Sequence, residues 1–349
     1  MESLQKITSV LGAGQVRLSE SMAKHTTFRI GGPAKIFFES RNPEEIKKAV
    51  GLCQENKMPY FVLGTGANLL VGDKGISGLV IRPSNNLVEV VGLPGRTVSP
   101  EGSKSSVAHY QPFETHKYLR FDDLDFPEPE PDTLVRVGAG VSLPVLVSWT
   151  LGKGLTGLQN FAGIPASIGG AIYNNIHGGT KLFDQFVERT TLLGEDGRIA
   201  VVGHGEMDFR YDHSRLQNTR EIVLEATLRL AHGDINRARW VREEWLKRKL
   251  KIQPQTNCPG CIFKNLSPQE AERIGAPTVG VGWVIDVGLN LKGMKVGGIS
   301  ISEKHANFFV NDGHGRASDV LELIEICRQK AREKFSLSLA EEIQKVGDF

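Results

Sequence analysis

The stretch YFVLGTGANLL, residues 60–70, joins a short apolar run directly to a glycine-rich turn. Tyr60 to Leu63 predict a strand, and Gly64-Thr65-Gly66 follow it without a spacer. Glycines at such a place let backbone N–H groups come close to a pyrophosphate, which a side chain would prevent. The stretch has neither the GxGxxG dinucleotide fingerprint nor the GK[ST] of a Walker loop, so on its own it also fits an ordinary tight turn.

Two further glycine-rich stretches accompany this one. HTTFRIGGPA, residues 25–34, precedes a predicted strand from Ile36 to Glu39, and GIPASIGGA occupies residues 163–171. Three such loops, each tied to an apolar segment, suit an extended dinucleotide lying across a domain boundary. Their spacing leaves FAD, NAD and a nucleotide sugar open.

Composition limits the class of protein. A chain of 349 residues with 40% apolar content can bury a core large enough for two or three domains. With 42 Lys and Arg against 40 Asp and Glu, it has no basic excess for binding nucleic acid. The sequence shows no signal peptide and no apolar run of roughly 20 residues, so we expect a cytoplasmic protein without membrane insertion.

The four cysteines predict free thiols. Cys53 lies on the apolar stripe of a helix predicted to begin after an Asn42 cap, and Cys327 on that of a helix predicted from about Ser318 to Lys334. Cys258 and Cys261 form a CxxC pair in NCPGCIFKNL, without a second CxxC or a histidine at zinc-finger spacing. We therefore predict no metal site. The residues after Cys261 indicate a short strand, not the helix start of a thioredoxin-type site, although oxidation joining the two thiols stays open.

Five motifs in order carry a specific resemblance. They are HTTFRIGGPA, VLGTGANLLVGDKGISGLVI, GLTGLQNFAGIPASIGGAIYNN, GCIFKN and GGISISEKHANFFVN. The set resembles the UDP-N-acetylenolpyruvoylglucosamine reductase (UDP-N-acetylmuramate dehydrogenase) family of peptidoglycan synthesis, from residue 25 to about 347. A basic helix predicted from Asp234 to about Leu250, followed directly by GCIFKN, resembles the shorter of two family subtypes.

The resemblance implies an α/β (α+β) fold. Its parts are an FAD-binding module of the vanillyl-alcohol-oxidase/PCMH type, in two α/β subdomains, and a C-terminal α/β substrate-binding domain. We place these parts at residues 1–84, 85–232 and 233–335, with residues 336–349 as a candidate for packing on the first. In the family FAD is bound noncovalently, NADPH reduces it, and hydride passes to the enolpyruvyl group of a UDP-sugar. We expect a monomer whose partner is that small molecule.

Site residues follow by position in the motifs. Cys261 takes the place of the family's proton donor, a Ser or sometimes a Cys, and Glu342 that of its catalytic glutamate, with Glu341 as the alternative. Lys264 and Asn265 are expected at the substrate. The FAD contacts are expected from Gly64, Gly66, Ala67, Asn68, Leu69, Ser167, Gly169, Gly170 and Asn174. His305 is expected to be structural or to shape the pocket.

One departure concerns the family's catalytic arginine, whose place is taken by Asp212 in the run FRYDHS. A carboxylate there reverses the local field beside the substrate's carboxylate. Three explanations compete. Arg210 reaches the same site from the same side of a strand, a basic residue elsewhere compensates, or the protein acts on another substrate or has lost the reductase step.

A second departure is a long polar insertion at about residues 94–132. Its prolines, and its acids from Asp122 to Asp132, predict an exposed loop. Two rivals to the reductase therefore remain. One is a paralogous flavoenzyme with another substrate, and the other is a catalytically silent protein that binds FAD or a UDP-sugar.

Overall fold

The computed structural model describes residues 2–12, 14–93, 124–255 and 257–349. The N-terminal part of the chain forms a four-stranded sheet in the order β1-β2-β5-β3. Strand β1 is antiparallel to β2, whereas β2, β5 and β3 run parallel. The elements are α1 (Glu2–Leu11), β1 (Val16–Ser21), β2 (Pro33–Ser40), α2 (Pro43–Glu55), β3 (Tyr60–Val62), β4 (Leu69–Val71) and β5 (Ile76–Pro83). Helix α2 begins as predicted, with the Asn42 side chain accepting a hydrogen bond from the Glu45 amide, and Cys53 is buried.

The middle part is built on an antiparallel sheet in the order β12-β11-β13-β7-β6. Its elements are β6 (Val88–Gly92), β7 (Thr133–Gly138), α3 (Leu143–Gly152), β8 (Leu155–Thr156), α4 (Ile168–Asn174), β9 (His177–Gly178), β10 (Lys181–Leu182), β11 (Val187–Leu193), β12 (Ile199–Gly203) and β13 (Ile222–His232). Helices α3 and α4 bury their apolar residues in the same core as β7, β11 and β13. That core fixes α4, and with it the loop that precedes α4.

The C-terminal part packs a small sheet, β14-β15-β16, against a long helix. Its elements are α5 (Ile235–Ile252), α6 (Pro268–Arg273), α7 (Val281–Trp283), β14 (Lys295–Val296), β15 (Ile299–Ile301), β16 (Phe309–Asn311), α8 (Ala317–Phe335) and β17 (Gln344–Val346). Helix α7 continues as a π-helical turn to Gly288. Cys327 is buried on α8, as its apolar stripe predicted.

The last strand returns to the first part of the chain, because β17 pairs in parallel with β4. Gln344 lies opposite Leu69, and the Gln344 amide donates to the Asn68 carbonyl at 3.0 Å. Residues 336–349 thus bring the C-terminal acidic pair next to the first glycine loop. The boundaries of the three predicted parts stay a prediction.

The expectation of an exposed loop holds for residues 129–132, which are exposed and irregular, but it is wrong at Leu124. Leu124 is fully buried against Ala162, Val241 and Trp245. Glu128 accepts hydrogen bonds from Thr156 and Gln159, and Asp125 accepts them from Asn160 and Thr180. Polar partners across the fold satisfy these acids, so they do not require solvent. Residues 94–123 lie outside the described part of the chain.

No helix in the described ranges is both long and apolar enough to cross a membrane.

Candidate active site

A single cleft of about 1690 Å³ runs between the three parts of the chain and collects most of the predicted site residues. Ligand pockets for small organic molecules usually measure about 300–1,000 Å³, so this cleft has room for a dinucleotide and a second ligand together. All nine residues predicted to contact FAD line it. They are Gly64, Gly66, Ala67, Asn68, Leu69, Ser167, Gly169, Gly170 and Asn174.

The first and third glycine loops meet directly. The Thr65 hydroxyl donates to the Pro165 carbonyl at 2.5 Å, and a Cβ on Gly64 would lie 2.4 Å from the Ser167 Oγ. Gly66 has φ +68°, and a Cβ there would lie 2.3 Å from the His25 carbonyl oxygen. Close packing against backbone and the positive φ require glycine at Gly66, whereas a side chain at Gly64 would displace the Ser167 side chain.

These loops fit FAD, because glycine-rich backbone along the cleft wall suits an extended pyrophosphate. The second loop supports the first, since the Thr27 amide donates to the Gly66 carbonyl at 3.2 Å. Asn174 joins the cluster through Gln344, whose Nε2 donates to the Asn174 side-chain Oδ1 at 3.0 Å. All three loops and the C-terminal segment therefore form one connected surface.

The segment that carries Cys261 is held in an extended form by two neighbours. The Asn307 side chain accepts from the Phe263 amide at 3.0 Å and donates to the Phe263 carbonyl at 2.8 Å. On the other side the Glu342 amide donates to the Ile262 carbonyl at 2.8 Å. The segment makes isolated bridges instead of a full strand, and it presents Cys261 and Lys264 to the cleft.

The Cys261 thiol lies in an acidic and poorly solvated environment. Burial raises its pKa well above the ordinary value, and the charges of Glu342 and Asp212 raise it further, although the Asn307 side chain acts in the opposite direction. A thiol in this environment is protonated at neutral pH. It can hold a proton for delivery, and it is a poor nucleophile.

Glu342 and Glu341 are adjacent but differ in surroundings. Glu341 pairs with Arg328 at 2.7 Å and with Lys345 at 3.1 Å. No cation pairs with the Glu342 carboxylate among the residues that the structure describes. Burial, and then the charge of Asp212, raise the pKa of Glu342 to about 7, against smaller opposing effects of His177 and Lys264. Of the two, Glu342 therefore has the properties of a proton-exchanging group near neutral pH.

The prediction that Arg210 reaches the site is wrong. Arg210 and His213 exchange backbone hydrogen bonds at 3.1 Å, so residues 210–213 form a tight turn in which the period-two alternation of a strand does not apply. The Arg210 side chain is 61% exposed, and its guanidinium pairs with Asp208 at 2.5 Å. Asp212, with φ +50° at the corner of the turn, lines the cleft in its stead.

His177 is a site residue that the sequence analysis missed. Its Nδ1 lies 3.4 Å from the Asp212 Oδ1, and both side chains line the cleft. Burial lowers the pKa of His177, but the interaction with Asp212 and the charge of Glu342 outweigh burial and raise it overall. In the sequence the only signal was a histidine shortly after the third glycine-rich stretch. Such a histidine indicates no site until its contact with the distant Asp212 is known.

Lys249 of α5 is a second missed residue of the cleft wall. Its Nζ donates to the Ala162 carbonyl at 2.7 Å and lies 5.2 Å from the centre of the Trp245 ring. Burial lowers the pKa of Lys249 to about 8. Within the described ranges no carboxylate pairs with it, so this ammonium is a candidate for anionic parts of a ligand.

The two residues predicted to contact the substrate, Lys264 and Asn265, lie in different environments. Lys264 lines the cleft, whereas Asn265 lies outside the residues that line it and is exposed, so its prediction as a cleft residue is wrong. His305 is also outside the main cleft, and its Nδ1 accepts from the Asn307 amide at 3.3 Å. All four cysteines are free thiols, and no cluster of His, Cys, Asp and Glu suited to a metal ion occurs in the described part of the chain.

The chain is similar to known proteins over nearly its whole length. The model of the UDP-N-acetylenolpyruvoylglucosamine reductase C-terminal domain matches residues 253–346, and that of an FAD-binding domain matches residues 94–203. UDP-N-acetylenolpyruvoylglucosamine reductase of Anoxybacillus flavithermus is 33% identical, covering 99% of each chain, and reductase 1 of Bacillus cereus is 32% identical, covering 99% of this chain and 100% of its own.

A solved structure shows the same similarity in three dimensions. The reductase from Thermus caldophilus superposes with a TM-score of 0.68 at 29% identity, covering 95% of this chain and 98% of its own. The fold is accordingly a mixed α/β one, with an FAD-binding domain followed by the C-terminal domain of this group. The chain belongs to the UDP-N-acetylenolpyruvoylglucosamine reductase family.

Proposed function

We propose that the protein is an FAD-dependent, NADPH-linked reductase that converts UDP-N-acetylglucosamine enolpyruvate to UDP-N-acetylmuramate in peptidoglycan synthesis. The observation that carries the proposal is the convergence of Cys261 and Glu342 on the cleft formed by the glycine loops. Names of full-length relatives at about 30% identity supply the substrate. Bound FAD supplies the chemistry of accepting hydride from NADPH and passing it to the enolpyruvyl group.

The residues of this chain have separate tasks in that reaction. The backbone around Gly64, Gly66 and Ser167 binds the dinucleotide. Hydride addition places negative charge on the carbon next to the substrate's carboxylate, and this carbon needs a proton. The Cys261 Sγ holds such a proton at neutral pH because of its burial and the nearby acids. Glu342, with a pKa of about 7, can exchange a proton in the same environment.

Two half-reactions test the proposal separately. Purified protein should show flavin absorbance, NADPH should bleach it, and the UDP-sugar should restore it. Cys261→Ser should keep substantial turnover, because a hydroxyl can occupy the same donor position. Cys261→Ala should keep flavin reduction by NADPH and lose recovery by the UDP-sugar. Full turnover in the alanine variant would remove Cys261 from the mechanism.

One observation favours a second candidate, a flavoenzyme for another substrate. Asp212 places a carboxylate where the resemblance expects a cation. Flavin that NADPH reduces but UDP-N-acetylglucosamine enolpyruvate never reoxidises would support this candidate. A colourless protein that does not take up FAD would exclude both.

A further inference from the structure

The pair formed by His177 and Asp212 presents its basic end to the cleft. The His177 side chain is 36% exposed and the Asp212 side chain 17% exposed. The imidazole is thus the more exposed member of the pair, and both side chains line the cleft. The imidazole ring stacks on Tyr211, with ring centres 5.1 Å apart and planes 23° apart. A ligand in the cleft therefore has more access to the ring than to the carboxylate.

The turn that carries Asp212 is fixed to the end of α4. Gln217 Nε2 donates to the Asp212 carbonyl at 3.0 Å, and the Ser214 hydroxyl donates to the Tyr173 carbonyl at 2.7 Å. Asn175, which is fully buried, donates to the Arg210 carbonyl at 3.0 Å. These bonds hold Asp212 against His177 before any substrate arrives, so the orientation of the imidazole is set in advance.

The direction of the ring follows from the contact. Nδ1 faces the Asp212 carboxylate at 3.4 Å, which leaves Nε2 for a ligand. Nε2 has no hydrogen-bond partner in the part of the chain that the structure describes. An imidazolium in this orientation offers one N–H to Asp212 and the other to an anion in the cleft.

We propose that protonated His177, oriented by Asp212, supplies the positive charge that meets the substrate's carboxylate in this chain. The aspartate in the family's arginine place then does not oppose the substrate, because the imidazolium balances its charge in an ion pair. Since the carboxylate belongs to the enolpyruvyl group, this role of His177 depends on the proposed function. The charge of an imidazolium, unlike that of a guanidinium, is lost within the physiological pH range.

Three charged groups face His177 from different elements. Asp212 and Glu342 favour the protonated ring, and Lys249 of α5 opposes it. Lys249 also competes for the proposed role, since it lines the same cleft. Its ammonium, however, already donates to the Ala162 carbonyl and lies over the Trp245 ring, whereas His177 adjoins the residue that replaced the arginine.

The first test compares three variants in the two half-reactions. His177→Gln should slow reoxidation of the reduced flavin by the UDP-sugar about 100-fold, the range for losing one preorganised electrostatic contact, and should leave reduction by NADPH unchanged. Arg210→Ala is the matched control and should change neither, because the guanidinium is exposed and outside the cleft wall. If the flavin is reoxidised normally in His177→Gln but not in Lys249→Gln, the role belongs to Lys249 and the proposal is overturned.

The second test uses pH and compares Asp212→Asn in the wild-type and in the His177→Gln background, because the effect of Asp212 on Glu342 is common to both. Asp212→Asn removes the main interaction that favours the imidazolium. Its reoxidation rate, divided by that of the wild type, should therefore be low at neutral pH and approach one as the pH falls. The double variant His177→Ala with Asp212→Arg should restore the rate and make it independent of His177 titration. A ratio that does not change with pH, or that changes equally in the His177→Gln background, would contradict the proposed role of the pair.

Measurements of ligand binding distinguish a failure of the proposed role of His177 from a failure of the proposed function. Titration calorimetry with UDP-N-acetylglucosamine and with its enolpyruvyl derivative compares ligands with and without the carboxylate. Wild type should prefer the carboxylate form, and His177→Gln should lose that preference. A wild type that binds and reduces the derivative while His177→Gln keeps the full preference overturns only the role of His177. A wild type that neither binds nor reduces it overturns the proposed function and this role with it.

Discussion

Glu342→Gln should stabilise the protein at alkaline pH while it impairs the reaction. In the folded chain burial and then Asp212 raise the pKa of Glu342 from an ordinary 4.5 to about 7. The folded state thus holds a proton that the unfolded state releases between these pH values, so stability falls as the pH rises from 4.5 to about 7. A neutral glutamine keeps the shape of the side chain and removes this dependence.

The size of the effect follows from the same two values. The difference between 4.5 and about 7, at about 1.4 kcal/mol for each pH unit, gives up to about 3 kcal/mol. Above the folded-state pKa, Glu342→Gln should therefore exceed the wild type in unfolding free energy by up to about 3 kcal/mol. Below pH 4.5 the two proteins should be equally stable.

Chemical denaturation at a series of pH values, with FAD in fixed excess, measures this difference. Glu341→Gln is the matched control. It removes a carboxylate that pairs with Arg328 and Lys345, so it should lower stability at neutral pH. A Glu342→Gln protein with the same stability and the same pH dependence as the wild type would refute the electrostatic account of this residue. If Glu341→Gln gained stability instead, the roles assigned to Glu341 and Glu342 would have to be exchanged.

Two further predictions concern the cofactor loop and the insertion. Gly66→Ala should lose FAD, because φ is +68° and the added methyl overlaps the His25 carbonyl. Flavin absorbance per chain measures this loss. The control Gly197→Ala, at a position with φ +75° and free space around it, should retain FAD. Leu124→Ala should lower the unfolding free energy by about 2–5 kcal/mol, as loss of a buried leucine does. In the same denaturation assay Val145→Ala, at a position 59% exposed, should cost much less, and equal losses in both would contradict the anchoring of residue 124.

Local signals in the sequence were sufficient for the helices and for the glycine loops. The Asn42 cap and an apolar stripe predicted α2, and the stripe ending near Lys334 predicted α8, because these signals act within a few residues. The nine predicted FAD contacts all line one cleft, since motif order carried their positions. Their roles stay predictions.

Features that depend on distant contacts were not predictable in this way. The failure at Arg210 arises from one left-handed residue, Asp212, which converts an assumed strand into a turn. His177 acquires meaning only through its contact with that residue. Leu124 was assigned to an exposed loop because its neighbours are acidic, yet hydroxyl and amide partners from other elements satisfy those acids. Each of these outcomes requires knowledge of the tertiary arrangement.

The two C-terminal glutamates show how that arrangement gives adjacent residues different chemistry. In an extended segment successive side chains point in opposite directions. Glu341 therefore meets Arg328 of α8, and its charge is balanced there. Glu342 meets a cleft that contains Asp212, and no cation within hydrogen-bonding distance balances it among the residues described by the structure. An acid that is desolvated beside another acid gains affinity for a proton. Asp212 thus has two effects on the site, since the same carboxylate favours protonation of both His177 and Glu342. Replacing Asp212 with a neutral residue should therefore lower the pKa of His177 and of Glu342 together. Replacing an arginine at this position with a neutral residue would lower neither pKa.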